Sequence, residues 1–147
     1  MSKTISYRGK LDIGLQDRIR LKTNTGKIGY KITKFQIIST EPMAQASEAI
    51  AKITKTDKTG SIAPTVHFTD SDLLAVATYS ETNSQNYPLT EIIIFDNEIV
   101  NQDIFINITD AAGATTPFNY YIELETMSLS EIETTMLTLK SIRTVTS

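Results

Sequence analysis

Phe118-Asn119-Tyr120-Tyr121-Ile122-Glu123-Leu124-Glu125 is the stretch that decides the fold. Phe118, Tyr120, Ile122 and Leu124 fall on one side of an extended chain, and Asn119, Tyr121, Glu123 and Glu125 on the other. This period of two belongs to a strand with one greasy and one wet face.

The same pattern recurs on either side. Upstream, across the turn residues Ala111-Ala112-Gly113-Ala114, Ile104, Ile106 and Ile108 alternate with Phe105 and Asn107. Further back, Glu91-Ile92-Ile93-Ile94-Phe95 is so apolar that a central strand with both faces covered is expected. Thr82 to Pro88 is polar and reads as a loop. Val76 to Tyr79 reads as strand, entered through one helical turn at Thr69-Asp70-Ser71-Asp72, where the Asp and Ser residues suit a cap. Ala49, Ala51 and Ile53 form another strand, between a Pro42 loop (Ser39–Ser47) and a polar excursion from Lys55 to Pro64.

At the start of the chain Ile5, Tyr7, Gly9, Leu11 and Ile13 alternate with Ser6, Arg8, Lys10 and Asp12, and a short strand follows through Ile19 and Leu21. Asn24-Thr25-Gly26-Lys27 has the chemistry of a hairpin turn. Ile28, Tyr30 and Ile32 share one parity and Phe35 and Ile37 the other, so a β-bulge near Thr33-Lys34 is needed to keep both halves on one face. Downstream, Ser130-Glu131-Ile132-Glu133 is a capping box, with Leu129 placed to staple the helix start. Ile132, Met136, Leu139 and Arg143 then recur at helical spacing, against the low helix propensity of Thr134, Thr135, Thr138 and Thr144.

A chain of 147 residues with 40% hydrophobic content can bury one core, so residues 1–147 are expected to form a single domain. The expected fold class is all-β: an antiparallel β-sandwich closed at one end by a short C-terminal helix, with the jelly roll as one form it can take. Cysteine is absent, which excludes disulfides, thiolate chemistry and Cys-based zinc sites. Met1-Ser2-Lys3-Thr4 begins no apolar signal segment, and no stretch approaches the roughly 20 apolar residues that span a bilayer. Synthesis in a cytoplasm, with no membrane partner, is the expectation.

His67 is the lone histidine, so a catalytic triad or paired-histidine metal site would have to run through it. No Gly-x-Ser-x-Gly turn accompanies it, and between Val66 and Phe68 it reads more simply as an outward-facing strand residue. No enzyme activity is expected. Asp96, Asn97, Glu98, Asn101 and Asp103 are oxygen donors of the kind Ca²⁺ prefers, with Asp96, Asn101 and Asp103 the candidates to watch. Their spacing matches no calcium loop, and turn chemistry explains them. Gly26 and Gly29 do not follow a strand leading into a helix, so no phosphate loop and no cofactor are expected.

Charge is divided along the chain. Lys3, Arg8, Lys10, Arg18, Arg20, Lys22, Lys27, Lys31 and Lys34 precede residue 35 against only Asp12 and Asp17, whereas every formal charge from Ser61 to Leu139 is negative. Basic strands lying beside acidic ones in the sheet would neutralise this. Complementary faces meeting between copies, in a ring or shell, would use it. Nucleic acid would exploit it only with more interleaved aromatics than Tyr7 and Tyr30 provide, and is not an expected partner.

The stretches Lys31-Ile32-Thr33-Lys34-Phe35-Gln36-Ile37, Phe95 to Phe105, and Asn119 to Glu125 through Thr138-Leu139-Lys140-Ser141-Ile142-Arg143 resemble small structural proteins of environmental, marine viruses or phages. That resemblance implies a virion building block: a capsid or capsid-decorating protein present in many copies, located in the particle, and carrying no catalytic residues. The residues expected at contacts are Tyr7, Arg8, Arg18, Arg20, Tyr30, Tyr79, Tyr87 and Tyr121, since Tyr joins a large apolar body to a polar tip and Arg supplies the charge. The expected partners are other copies of the chain and other structural proteins. The alternative is a carbohydrate- or ligand-binding β-sandwich module, which would show an aromatic-lined concave site.

Overall fold

The alternating segments pair into two antiparallel sheets. A computed structural model of the chain describes residues 3–42, 44, 46–81, 89–95 and 98–146, with backbone only for Glu131 and 140–146. β1 (Lys3–Leu11), β8 (Phe118–Ser128) and β3 (Ile28–Ser39) form a three-stranded sheet in the order β1-β8-β3. β2 (Gln16–Ile19), β7 (Ile104–Asp110), β4 (Ser47–Thr54), β5 (Leu73–Glu81) and β6 (Leu89–Ile94) form the second, in the order β2-β7-β4-β5-β6. The helix α1 (Glu131–Thr146) follows β8. Among the described residues no helix is long and apolar enough to cross a membrane.

The greasy faces meet to form one contiguous core. The three-stranded sheet contributes Ile32, Phe35, Ile37, Phe118, Ile122 and Leu124; the five-stranded sheet contributes Ile53, Ile104, Ile106, Ile108 and Tyr79. Ala49, Ala51, Ala75 and Ala77 line the middle of β4 and β5, small side chains that leave volume for the aromatic rings. Tyr79 and Phe118 pack edge to face across the core, 5.1 Å between ring centres. The expected bulge is present: the β3–β8 register shifts between Ile32 and Lys34, which returns Phe35 and Ile37 to the inner face.

Four local expectations are corrected. Asn24–Lys27 does turn, with Gly26 at φ 67° and its N–H on the Thr23 carbonyl. It makes no hairpin, because β2 pairs with β7 and β3 with β8, so the turn carries the chain from one sheet to the other. Thr69–Asp72 forms no helical turn: Asp70 accepts the Asp72 N–H through Oδ1, and β5 begins at once. The run Ile92-Ile93-Ile94 is the edge strand β6, with Ile92 39% and Leu89 54% exposed. The doubly covered position belongs to β5, whose Val76 is buried on the face away from the core. His67 lies exposed in the β4–β5 connection, outside any strand. The polar segment 82–88 lies outside the described residues.

Candidate assembly surfaces

α1 begins as its capping box dictates. The Ser130 N–H donates to Glu133 Oε1 at 3.1 Å, and the Glu133 N–H donates to Ser130 Oγ at 3.2 Å. Leu129, just before, is buried against Gly29, where a Cβ would come within 2.9 Å of its side chain. Asn101, fully buried, then fixes how the helix is rotated. Its Nδ2 donates to the Gly26 carbonyl (3.1 Å) and to Thr138 Oγ1 (3.1 Å), with the Thr134 carbonyl at 3.4 Å.

At about 100° per residue, the side of the helix bearing Thr134 and Thr138 is half a turn away from that bearing Ile132, Met136 and Leu139. The stripe that identified the helix therefore faces outward, with Ile132 74%, Met136 64% and Leu139 48% exposed. Single exposed aliphatics need no explanation, but three in line on one helix face form a contact-ready ridge.

A second surface lies where β3 approaches the overhanging edge strand β6. An open crevice of about 720 Å³ is bordered by Arg8, Ile38, Ile92, Tyr120 and Tyr121. Tyr120 stands over Gly9, its partner in register; a Cβ there would sit 2.7 Å from the phenol oxygen, so only glycine leaves the ring its place. The Tyr120 hydroxyl donates to Asp17 at 2.9 Å, and burial, then the Asp17 carboxylate, push its pKa up to about 12. The Tyr121 hydroxyl donates to Glu123 at 2.6 Å, and this bond raises its pKa. The Lys34 ammonium stands 6.0 Å from the Tyr121 ring centre.

The contact candidates predicted from the sequence fall into three groups. Arg8 and Tyr121 are neighbours in the β1–β8 register and border the crevice together. Arg18 and Arg20 are exposed beyond it; Arg18 pairs with Asp103 at 2.6 Å and lies 5.9 Å from the centre of the Phe105 ring. Tyr30 and Tyr79 are withdrawn from the surface: both are buried in the core, and Tyr7 packs against it. Tyr79 spends its hydroxyl on Glu81 at 2.8 Å, and burial, reinforced by that carboxylate, raises its pKa. Parity explains the withdrawal, since Tyr7, Tyr30 and Tyr79 sit on the inward positions of their strands. Tyr87 lies outside the described residues.

The calcium candidates have other work. Asn101 holds α1, and Asp103 accepts the backbone N–H groups of Leu21 and Lys22 through Oδ1 and the Arg18 guanidinium through Oδ2. Burial opposes ionisation of Asp103, yet these three donors together hold its carboxyl below the usual carboxylate range. Asp96 lies outside the described residues, among which no group of acidic or histidine side chains is placed to hold a metal ion.

Much of the charge division is absorbed within the chain. On the outer face of the three-stranded sheet Lys31 is opposite Glu125 and Lys34 opposite Glu123, and Lys55 pairs with Glu98 at 3.2 Å. The contact candidates read from the sequence included neither the helix stripe, which was read only as the mark of a helix, nor the aliphatic border of the crevice. The signal for the first was present: 132, 136, 139 and 143 follow a four-three-four spacing, the seam of a coiled coil.

No known protein family matches this chain, and no curated protein resembles it.

Proposed function

We propose that this chain is a non-enzymatic structural protein that self-associates and forms part of a virion or similar assembly. The observation that carries the reading is the outward stripe Ile132, Met136 and Leu139 on α1. The occupant that suits it is a second copy of the same helix, laid antiparallel. In sequence the helix runs from Glu131 and Glu133 to Lys140 and Arg143, so an antiparallel pair sets the acidic start of each copy beside the basic end of the other. Such a contact is isologous, matching a surface to itself about a two-fold axis. One helix face alone makes a small interface, so the pairing is weak in isolation and gains strength by repetition in a closed shell.

The winding of the strands supports the same reading. β1 pairs with β8, β2 with β7 and β4 with β5, and β3 approaches β6 without pairing. These pairings are akin to those of a long antiparallel ribbon rolled over on itself, the jelly roll that recurs in viral capsid domains and in lectins, with the difference that β6 is hydrogen-bonded to β5 instead of β3. The fold bears on function only by analogy, and the exposed stripe supplies the physical reason for association.

Sedimentation velocity over a protein and salt series tests this. Concentration-dependent dimers or larger species are expected, and Met136→Glu should abolish them while leaving the β-type circular dichroism spectrum intact. A strictly monomeric wild-type chain at all concentrations would refute the reading. The crevice beside Tyr120 and Tyr121 favours the second reading, a carbohydrate- or ligand-binding module; saturable glycan binding lost in Tyr121→Ala would decide for it.

A further inference from the structure

The β4–β5 connection folds back over the outer face of the five-stranded sheet and is pinned there. Gln16 donates to Asp57 Oδ1 at 2.7 Å and accepts the Lys58 N–H at 2.7 Å. Lys58 pairs with Asp72 at 2.6 Å. Lys52, on β4, points its ammonium into the connection and donates to the Ala63 and Thr65 carbonyls at 2.8 and 2.9 Å. Between sheet and connection lies a cavity of about 260 Å³ whose lining includes Lys52, Ser61, Thr65, His67, Asp70 and Asn107. It shares no residue with the crevice or with α1.

Asn107 makes this cavity unusual. It sits opposite Lys52 in the β4–β7 register and is 1% exposed, yet neither Oδ1 nor Nδ2 has a hydrogen-bond partner among the described residues. Asn is a poor strand residue, and a buried polar group left unpaired costs on the order of 1–3 kcal/mol. The cost is offset when a molecule with both donors and acceptors enters beside it.

The surroundings specify its chemistry. Lys52 and Lys58 are balanced by Asp70 and Asp72, so a net ionic ligand gains little. The lining instead mixes donors and acceptors: an amide, an imidazole, an ammonium with one proton left beyond its two carbonyl bonds, and the three hydroxyls of Thr54, Ser61 and Thr65. A hydroxyl group, donor and acceptor at once, complements all of these. The volume is several times what one water needs and lies just under the roughly 300 Å³ at which pockets for larger ligands begin.

We infer that this cavity binds a small neutral polyhydroxylated molecule of about monosaccharide size, with Asn107 as its central hydrogen-bonding group and Lys52 as a charged donor. The inference is independent of self-association. It is tested by NMR on the ¹⁵N-labelled full chain, following the Asn107 side-chain amide and the backbone amides of 61–67. D-glucose, D-galactose, D-mannose and glycerol are titrated in turn, with sodium phosphate and sodium acetate as ionic arms. Saturable shifts at these groups in the millimolar range are expected with at least one sugar or polyol, weakened about tenfold or more by Asn107→Val. Lys52→Met is the second variant, should the first fail to fold, and is expected to weaken binding likewise. Shifts that never saturate, which would leave water as the occupant, or a response to phosphate or acetate alone, would overturn the proposal. So would saturation unchanged in a folded variant.

Discussion

β8 and α1 are neighbours in the chain, and both carry strong apolar periodicity, yet they turn it in opposite directions. β8 buries Ile122 and Leu124 completely, whereas α1 leaves Ile132 and Met136 mostly in water. β8 lies between β1 and β3, so its inner side chains have only the core to face. α1 is held by a polar clamp, Asn101 against Thr134 and Thr138, and that clamp turns the apolar stripe away. Periodicity fixes the kind of element, but the partner on the far side fixes which face is hidden.

The largest expected effect lies on the β8 side of this contrast. Leu124→Ala opens a cavity in a fully buried site and should lower the unfolding free energy by about 2–5 kcal/mol, read from urea denaturation. A loss no larger than that of a surface substitution would remove the distinction between the two elements. Asn101→Ala comes next. It deletes the amide that positions α1 and leaves the Gly26 carbonyl short of a donor, for about 1–3 kcal/mol. Hydrogen exchange should accelerate along 132–139 and stay slow in β8; uniform acceleration would mean that the clamp serves the whole sandwich.

Asp103, two residues further on, provides a pH test. Its folded pKa is depressed, so the native state holds its proton more weakly than the unfolded chain, whose Asp titrates near 3.9. The stabilisation is complete above that value and is lost as pH falls below it towards the folded pKa. Asp103→Asn should therefore weaken the fold at neutral pH by about 1–3 kcal/mol and flatten the acid limb of the stability curve. An acid limb unchanged from wild type would assign the transition to other carboxylates.

The contrast also marks how far the sequence could be read. The sandwich, the bulge at Thr33-Lys34 and the capping box at Ser130 were legible because each depends on side chains within a few residues of one another. The place of Ile92-Ile93-Ile94 in its sheet was not, since a run of isoleucines looks the same at an edge and in the middle. Strand order is set by long-range pairing, and β5 gains its second cover from a connection whose polar composition hides that role. Tyr30 and Tyr79 were misplaced for a related reason: a tyrosine suits an interface and a core equally, and only the parity of the finished strand separates the two. Asn107 was visible as a polar break in Ile104–Ile108, but its isolation depends on what the 55–72 connection brings over it.

The smallest expected effect on stability is the sharpest test of the helix. Ile132 lies mostly in water in the single chain, so Ile132→Ser removes little buried area and should change the unfolding free energy of the dilute monomer by no more than about 0.5 kcal/mol. In an assembled sample the same substitution takes an aliphatic group from one end of the antiparallel seam, and the dissociation constant should rise several-fold. The two measurements must separate: urea curves that overlay at low concentration, and sedimentation profiles that diverge at high concentration. A variant as unstable when dilute as a core substitution would place Ile132 against the body of its own chain, and the outward stripe would lose its role in assembly.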